Sequence, residues 1–460
     1  MTLRPYQNQA LTEIRGQFRY SKKVLLHLAT GGGKTVIFCQ VLKGVLDKGM
    51  RAIMVVRGRK LVDQASNRLY REGVYHGVMM ANHWNYRPHE RIQVCSIDTL
   101  ISRKVAPPAD LVVIDEAHLF TSDISKQFFA LYPKAFFLPV TATPYTDQPL
   151  NHLADRAVHP VTIGDLIDQG FLVRPRYFAP NIPDLTGVHT QNGDYKKDQL
   201  QNVMMGGTLV GDVITHWKNI AQNRPTLVFA VSIAHSQALV RSFNEQGIPA
   251  AHCDADSSDS ERNDIIKRLE SGELKVISNV GIFCTGVDIP ALSCVVFARP
   301  TKSYILYIQQ AGRGTRPFGG KSDFIILDHA GNVLRHGFIE NEREAILDGK
   351  EKRSERSESP ATCPVCFAVF EATKTVCPAC GADLGGSSKP RKFEVIDGNL
   401  KELAPDADII NFIREKKRIA KENGYKRGWV YWRLVDKFGE AVAEQYMPKP
   451  QIPQWMKTGG

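Results

Sequence analysis

The chain has 460 residues, and 43% of them are hydrophobic, enough at about 150 residues per domain for roughly three domains with sizeable cores. Its 59 Lys and Arg outnumber its 48 Asp and Glu, and the net charge of +11 suits a polyanionic partner. No run is long and apolar enough to span a membrane, and Met1-Thr2-Leu3-Arg4-Pro5-Tyr6-Gln7 lacks the apolar core of a signal peptide, so a cytoplasmic protein is expected.

The first strong signal along the chain is the run Ala29-Thr30-Gly31-Gly32-Gly33-Lys34-Thr35. Val24 to Leu28 before it reads as a buried strand, and Val36 to Leu42 after it reads as a helix. Strand, glycine loop, Lys-Thr and helix form the context of a nucleoside-triphosphate phosphate loop. Thr30, Gly31, Gly32 and Gly33 turn backbone N–H groups toward phosphate without a Cβ clash. Lys34 is expected at the β/γ-phosphates, and the Thr35 hydroxyl on Mg²⁺. One departure from the usual loop is Leu28, where a small residue is common; the loop is still expected to close.

Apolar runs of three to six residues recur at 52–56, 111–114 and 136–140, and again at 226–230, 276–278, 294–298 and 324–327. Helix-like segments separate them, the pattern of parallel sheets covered on both faces. The expected fold is α/β, with two tandem RecA-like doubly wound parallel-sheet lobes split near 175–222. The polar stretch 173–225 reads as a mobile connector. Only the first lobe has a Gly-Lys-Thr loop, so one ATP site is expected. Leu111-Val112-Val113-Ile114 presents Asp115-Glu116 at its end, the second half of such a site. Asp115 is expected to hold Mg²⁺, and Glu116 to position and deprotonate the attacking water.

Together these residues, with Ala117-His118, resemble superfamily 2 helicases and translocases of the Asp-Glu-Ala-His type over about residues 3–335. Val140-Thr141-Ala142-Thr143-Pro144 resembles the family motif that links the ATP site to the nucleic-acid track. Tyr307-Ile308-Gln309-Gln310-Ala311-Gly312-Arg313-Gly314-Thr315-Arg316 resembles its second-lobe Gln-x-x-Gly-Arg-x-x-Arg motif. The resemblance implies that Gln309, Arg313 and Arg316 face the triphosphate across a cleft between the lobes. It also implies that Thr285, Gly286 and Asp288 touch ATP and nucleic acid. Leu3-Arg4-Pro5-Tyr6-Gln7 resembles the adenine-reading segment, which implies Gln7 on the base edge and Arg4 or Tyr6 on the ring.

Nucleic-acid contacts are expected where strands end. Arg57 and Arg59 follow 52–56, Thr99 follows 92–95, and Ser232 follows 226–230. Such groups grip phosphates without reading bases, so binding independent of sequence is expected, on a single strand or a branched junction.

Residues 340–361 are charged and read as a linker or exposed helix. Cys363-Pro364-Val365-Cys366 and Cys377-Pro378-Ala379-Cys380 then form two Cys-x-x-Cys knuckles, a four-thiolate site for structural Zn²⁺. The other five cysteines are scattered, mostly in apolar runs where buried thiols are expected. Residues 411–433 interleave basic and aromatic side chains, including Trp429 and Trp432, with Trp455 beyond. They read equally as a base-stacking surface or as a small helical cap with core aromatics.

With the motor, the zinc site and the Gly-Tyr-Lys-Arg-Gly-Trp segment resemble the bacterial RadD group of DNA-repair helicase-like ATPases, or a phage relative. That implies DNA as the substrate, with a single-strand-binding or repair protein as a further partner. The expected division is 1–175 and 176–340 for the lobes, 341–361 for the linker, 362–385 for the zinc finger and 386–460 for the tail. The zinc finger and tail are expected to be dispensable for folding of the motor. An RNA helicase of the same superfamily and an ATP-gated DNA accessory protein stay open as alternatives.

Overall fold

The computed structural model describes residues 3–80, 83–103, 106–144, 150–179, 183–191, 193–205, 207–283, 289–342, 347, 360–384, 406–422, 425, 428–438, 443–444 and 446–447. Residues 1–386 form one compact unit and 387–460 another.

The first sheet contains β1 (Val24–His27), β2 (Ala52–Val56), β3 (Gly77–Met79), β4 (Ile92–Ser96), β5 (Leu111–Asp115), β6 (Phe136–Thr141) and β7 (Arg156–Val158). Its order is β3-β4-β2-β5-β6-β1-β7, with every pairing parallel. Alternate residues enter separate cores. Leu26, Met54, Val94 and Val113 pack on one face, and Leu25, Ile53, Val55 and Val112 on the other. Both faces are therefore covered, which is why central β2 is an unbroken apolar run and β5 is apolar up to Asp115. A parallel sheet also puts all its strand C-termini on one edge, where α/β proteins bind ligands.

Further strands are β8 (Arg174–Phe178), β9 (Thr190–Gln191), β10 (Asp194–Tyr195), β11 (Thr226–Ala230), β12 (Ala250–Cys253), β13 (Val276–Asn279), β14 (Cys294–Ala298) and β15 (Asp323–Asp328). The second sheet has the parallel order β12-β13-β11-β14-β15-β8. Leu227, Phe229, Val295 and Phe297 join the core shared with the first lobe, while Val228, Val296 and Ile325 face the opposite core.

Two expectations change here. A lobe boundary at 175/176 would cut β8, which pairs with β15 from Arg174 onward. The stretch 173–225 is also built structure rather than a polar connector. It supplies β8, the β9–β10 hairpin, and the helices Lys197–Met204 and Gly207–His216. Asp194 anchors the hairpin by accepting from Arg299, Thr301 and the Lys302 N–H. Trp217 is fully buried and donates its indole N–H to Thr226 Oγ1 at 2.6 Å. Pro175 is tolerated because β8 lies at a sheet edge.

The cysteine hairpin is not a detached appendage. Its strands β16 (Pro360–Thr362) and β17 (Val369–Glu371) pair antiparallel. Cys363, Ala368, Phe370 and Cys377 share a core with Phe178, Ile214 and Trp217 of the second lobe. The Ala179 N–H donates to Phe367 O at 2.9 Å.

In the C-terminal unit, the helices are Asp406–Glu422 and Trp429–Phe438. Tyr431, Leu434 and Ala443 are its core, with Phe412 and Ile413 packed against them. Trp429 stacks on Tyr425 at 4.6 Å, and Trp432 is exposed. Tyr431 is therefore a core aromatic, as a helical cap requires, while Trp432 is exposed; Trp455 lies outside the described residues.

Candidate active site

Gly31 and Gly33 both have φ of +83°, and Gly33 precedes the helix Lys34–Asp47. That left-handed geometry favours glycine. A Cβ on Gly32 would lie 2.9 Å from Leu28 Cγ and 3.1 Å from Ala29 O. Gly32 thus makes the room that the buried Leu28 occupies, so the unusual residue is accommodated. Lys34 Nζ donates to Leu28 O at 3.2 Å. Burial lowers the Lys34 pKa, and the Glu116 and Asp115 carboxylates oppose that shift.

The helix Pro5–Gln17 brings the N-terminal segment onto this loop. Tyr6 OH donates to Gly32 O at 2.8 Å, and the Arg4 guanidinium donates to Tyr6 OH at 3.1 Å. Arg4 also lies 4.4 Å from the Phe171 ring centroid. Gln7 Oε1 accepts the Arg4 N–H at 3.0 Å, and Gln7 Nε2 lies 2.5 Å from where a Gly33 Cβ would be.

Asp115 ends β5, and its Oδ1 accepts the Glu116 N–H at 3.0 Å. Burial and the neighbouring Glu116 charge raise the Asp115 carboxyl to about 6. A buried acid pair of this kind suits a divalent cation. Glu116 has φ of +50°, a left-handed backbone that costs a non-glycine residue of order 1–3 kcal/mol and is typical of functional sites.

His118 connects the lobes. Its Nδ1 lies 3.0 Å from Thr141 Oγ1 and 3.5 Å from Glu116 Oε2, and its Nε2 lies 3.2 Å from Gln309 Nε2. Burial, with the nearby Lys34 charge, lowers its pKa to about 4, so the ring is neutral. The Gln309 amide donates to Nε2, which places the ring proton on Nδ1, facing Thr141.

Gln309 is carried by the helix Tyr304–Ala311. In the turn beyond it, Arg316 Cγ would be 3.6 Å from a Cβ on Gly31, and Thr30 Cβ 3.1 Å from one on Gly312. The Val173 N–H donates to Thr315 O at 2.7 Å. The Arg313 charge is close enough to depress the Lys34 pKa further. Lys321 Nζ holds the turn from beneath, donating to Gly314 O at 2.6 Å, Arg316 O at 3.0 Å and Leu292 O.

Several of these groups were not anticipated from the sequence. Arg68, on the helix Arg59–Arg71, lies 3.7 Å from Asp115. Glu342, expected in an exposed linker, is instead buried against the first lobe. Its Oε1 lies 2.8 Å from His27 Nε2, the last side chain of β1, and its Oε2 accepts the Ile163 N–H at 3.0 Å. His159 Nε2 is 3.5 Å from Oε2, and the His27 and His159 rings stack at 4.1 Å. Burial raises the Glu342 pKa, but hydrogen bonds from His159 and His27 outweigh it and hold the carboxyl at about 2. A lone Glu in a charged stretch gives no pattern that could have revealed this. For His118 and Lys321 the only signals were the Ala-His after Asp-Glu and a Lys after two glycines.

The expected nucleic-acid residues divide. Arg57 is exposed beyond β2 and donates to Leu119 O at 3.0 Å, and Arg59 opens the following helix. Thr99 is half-buried in the helix Ile97–Arg103, beyond β4. All three therefore lie past strand C-termini on the edge that carries the phosphate loop. Ser232 follows β11, and its Oγ accepts the His235 N–H at 3.2 Å and caps the helix Ile233–Glu245. Thr285, Gly286 and Asp288 lie outside the described residues.

The four sulfurs of Cys363, Cys366, Cys377 and Cys380 all lie within 4.8 Å of one another. Cys363 to Cys380 is 3.8 Å and Cys366 to Cys377 is 3.6 Å. Tetrahedral Zn²⁺ with Zn–S bonds of about 2.3 Å requires sulfurs about 3.8 Å apart, whereas a disulfide requires about 2 Å. The donor set fits zinc and excludes the disulfide pairing. Elsewhere Cys39 and Cys294 are buried thiols pushed up to about 12 by desolvation.

Comparison with known proteins agrees with this geometry. Residues 1–146 match the family described as type III restriction enzyme, res subunit, and residues 208–317 match the helicase conserved C-terminal domain. A 51.5 kDa protein of a Lactococcus phage is 25% identical over 394 residues, 84% of this chain and 84% of that protein. The Saccharomyces cerevisiae protein named ATP-dependent helicase IRC3 is 29% identical over 72% of this chain, which spans about half (51%) of IRC3. A fragment of an HsdR subunit of a type I restriction enzyme from Vibrio vulnificus superposes with a TM-score of 0.56 at 19% identity, covering 75% of this chain and 67% of that one. Two parallel-sheet lobes with these family matches define an ATP-hydrolysing enzyme of the helicase class. The chain is a helicase-like ATPase of superfamily 2. No helix among the described residues is long and apolar enough to cross a membrane.

Proposed function

We propose that the chain is an ATP-driven DNA helicase or translocase that moves on or remodels DNA during repair, recombination or replication. The observation that carries this reading is the link from Thr141 through His118 to Gln309, beside the close approach of Arg316 to Gly31. The two lobes meet at the phosphate loop, so a change there alters how they pack, which is what a motor requires.

In this reading the loop N–H groups and Lys34 bind the triphosphate, and Arg4, Tyr6 and Gln7 sit at the adenine. Thr35 and Asp115 would hold Mg²⁺, which neutralises phosphate charge when bound. Glu116 orients the attacking water and takes its proton. Arg313 and Arg316 stabilise the charge that builds on the transferred phosphoryl group. Gly286 and Asp288 complete the nucleotide site from the second lobe. Arg57, Arg59, Thr99, Ser232 and Thr285 grip the DNA backbone, and Cys363, Cys366, Cys377 and Cys380 hold a structural zinc.

DNA as the polymer is supported by the restriction-enzyme family match and the net charge of +11. A role in repair rests on the likeness to the RadD group. The test is ATPase activity titrated with single-stranded DNA, duplex DNA and RNA, beside strand displacement on each. DNA should stimulate hydrolysis more than RNA, and Glu116→Gln should bind ATP but not turn it over. Stimulation by RNA alone, or turnover surviving in Glu116→Gln, would overturn the assignment.

A further inference from the structure

The outer edge of the first lobe carries four aromatic rings that no core uses. Tyr70, Tyr75, Trp84 and Tyr86 are 38%, 68%, 72% and 57% exposed. They lie in the segments before and after β3, the edge strand of the first sheet. Tyr70 and Trp84 are nearly parallel, at 20°, with centroids 6.0 Å apart.

The frame beneath the rings is rigidly built from buried polar groups. His76 Nε2 pairs with Ser66 Oγ at 2.7 Å, and Asn85 Nδ2 donates to His76 O at 3.2 Å. The Asn85 N–H donates to His83 Nδ1 at 3.0 Å, so His83 Nε2 carries the proton that faces Asp63. Gln93 Nε2 ties down Arg87 O at 2.7 Å and Glu90 O at 2.9 Å. Gly77 is crossed so closely that a Cβ there would lie 2.2 Å from Arg87 O. Trp84 and Tyr86 are exposed beside these contacts, and Trp84 stacks with Tyr70.

The exposed charges around the rings are mainly positive. Arg71, Arg87 and Arg91 are exposed, whereas Glu72 and Glu90 are half-buried. Asp63 is also exposed, and its Oδ1 accepts from His83 Nε2 at 3.0 Å, so one acid stands beside three arginines. Aromatic rings with arginines between them form a surface on which bases stack while phosphates are neutralised.

We propose that this edge is a stacking platform for the unpaired bases of a single DNA strand, outside the cleft between the lobes. The proposal rests on the reading of the chain as a DNA motor and adds a second contact for the same polymer. A protein partner is the competing occupant of such a surface, and the test separates the two.

The experiment measures binding of labelled oligothymidylate to the full chain across a salt series. Trp84→Ala should weaken binding about 5- to 150-fold, the equivalent of about 1–3 kcal/mol for one lost stack. The slope of log affinity against log salt should stay unchanged, because no phosphate contact is lost. Arg87→Ala should instead flatten that slope by about 0.7. Trp84→Phe keeps a ring and should retain most of the affinity, which separates stacking from a misfolded loop. Wild-type affinity in a Trp84→Ala/Tyr86→Ala double variant would overturn the platform and favour a protein partner. Equal losses in Trp84→Phe and Trp84→Ala would overturn it as well. The motor reading fails on a different measurement, a wild-type ATPase that DNA does not stimulate.

Discussion

Replacing Glu342 with Ala should destabilise the first lobe by about 3 kcal/mol. Burial lowers the His27 pKa and leaves that ring a neutral donor, so what is lost is a buried carboxylate accepting hydrogen bonds from His27 and the Ile163 N–H. The titration of Glu342 gives the figure. The carboxyl has 1% side-chain exposure and is held at about 2 rather than 4.5. At about 1.4 kcal/mol per tenfold change in proton affinity, that is worth about 3 kcal/mol. For a domain of 150–250 residues this lowers the melting temperature by about 6–12 °C. Because the folded carboxyl titrates lower than the unfolded one, its contribution is complete above about pH 4.5 and fades as pH falls toward 2. Scanning calorimetry on wild type and variant should therefore show the gap near neutral pH, narrowing in acid. Glu342→Gln keeps an acceptor oxygen and should fall between them. A variant melting within about 2 °C of wild type near neutral pH would refute the reasoning.

His118→Ala removes the link between Thr141 and Gln309, so kcat should fall while KM for ATP changes little, as steady-state kinetics would show. Metal analysis should find one zinc per chain, with none after all four hairpin cysteines are replaced by Ser. A chain truncated after Ser354 should be poorly soluble or melt well below the full chain in the second lobe, because Phe178, Ile214 and Trp217 lose their cover. That outcome reverses the expectation of a dispensable appendage, and a truncated chain with unchanged melting would restore it.

How much of this was legible depended on whether a residue's role was local. Runs such as 52–56 and 111–114 have both faces buried, so every position is apolar and the strand stands out. The cysteine pairs announce zinc because four thiolates at that spacing have few other uses. By contrast, β8 reads Arg-Pro-Arg-Tyr-Phe, and only its place at an edge beside β15 makes it a strand. Ser232 illustrates a true degeneracy, since a hydroxyl after a strand serves a phosphate or a helix N-terminus equally well. Glu342 and Arg68 act on residues more than forty positions away, and nothing in their own neighbourhoods marks them. The cysteine hairpin was recognised as a metal site but not as part of the second lobe's core, because Ala368 and Phe370 are too few to form a visible pattern.

The central claim is that the ATP site is completed by the second lobe, and Arg316→Ala tests it most directly. Nucleotide affinity and single-turnover hydrolysis should be measured on one preparation. Affinity should stay near that of the wild type, while hydrolysis falls by on the order of 10³–10⁵, as for charge supplied across a cleft in other systems. Hydrolysis at the wild-type rate, or an equal loss of binding and hydrolysis, would contradict the account.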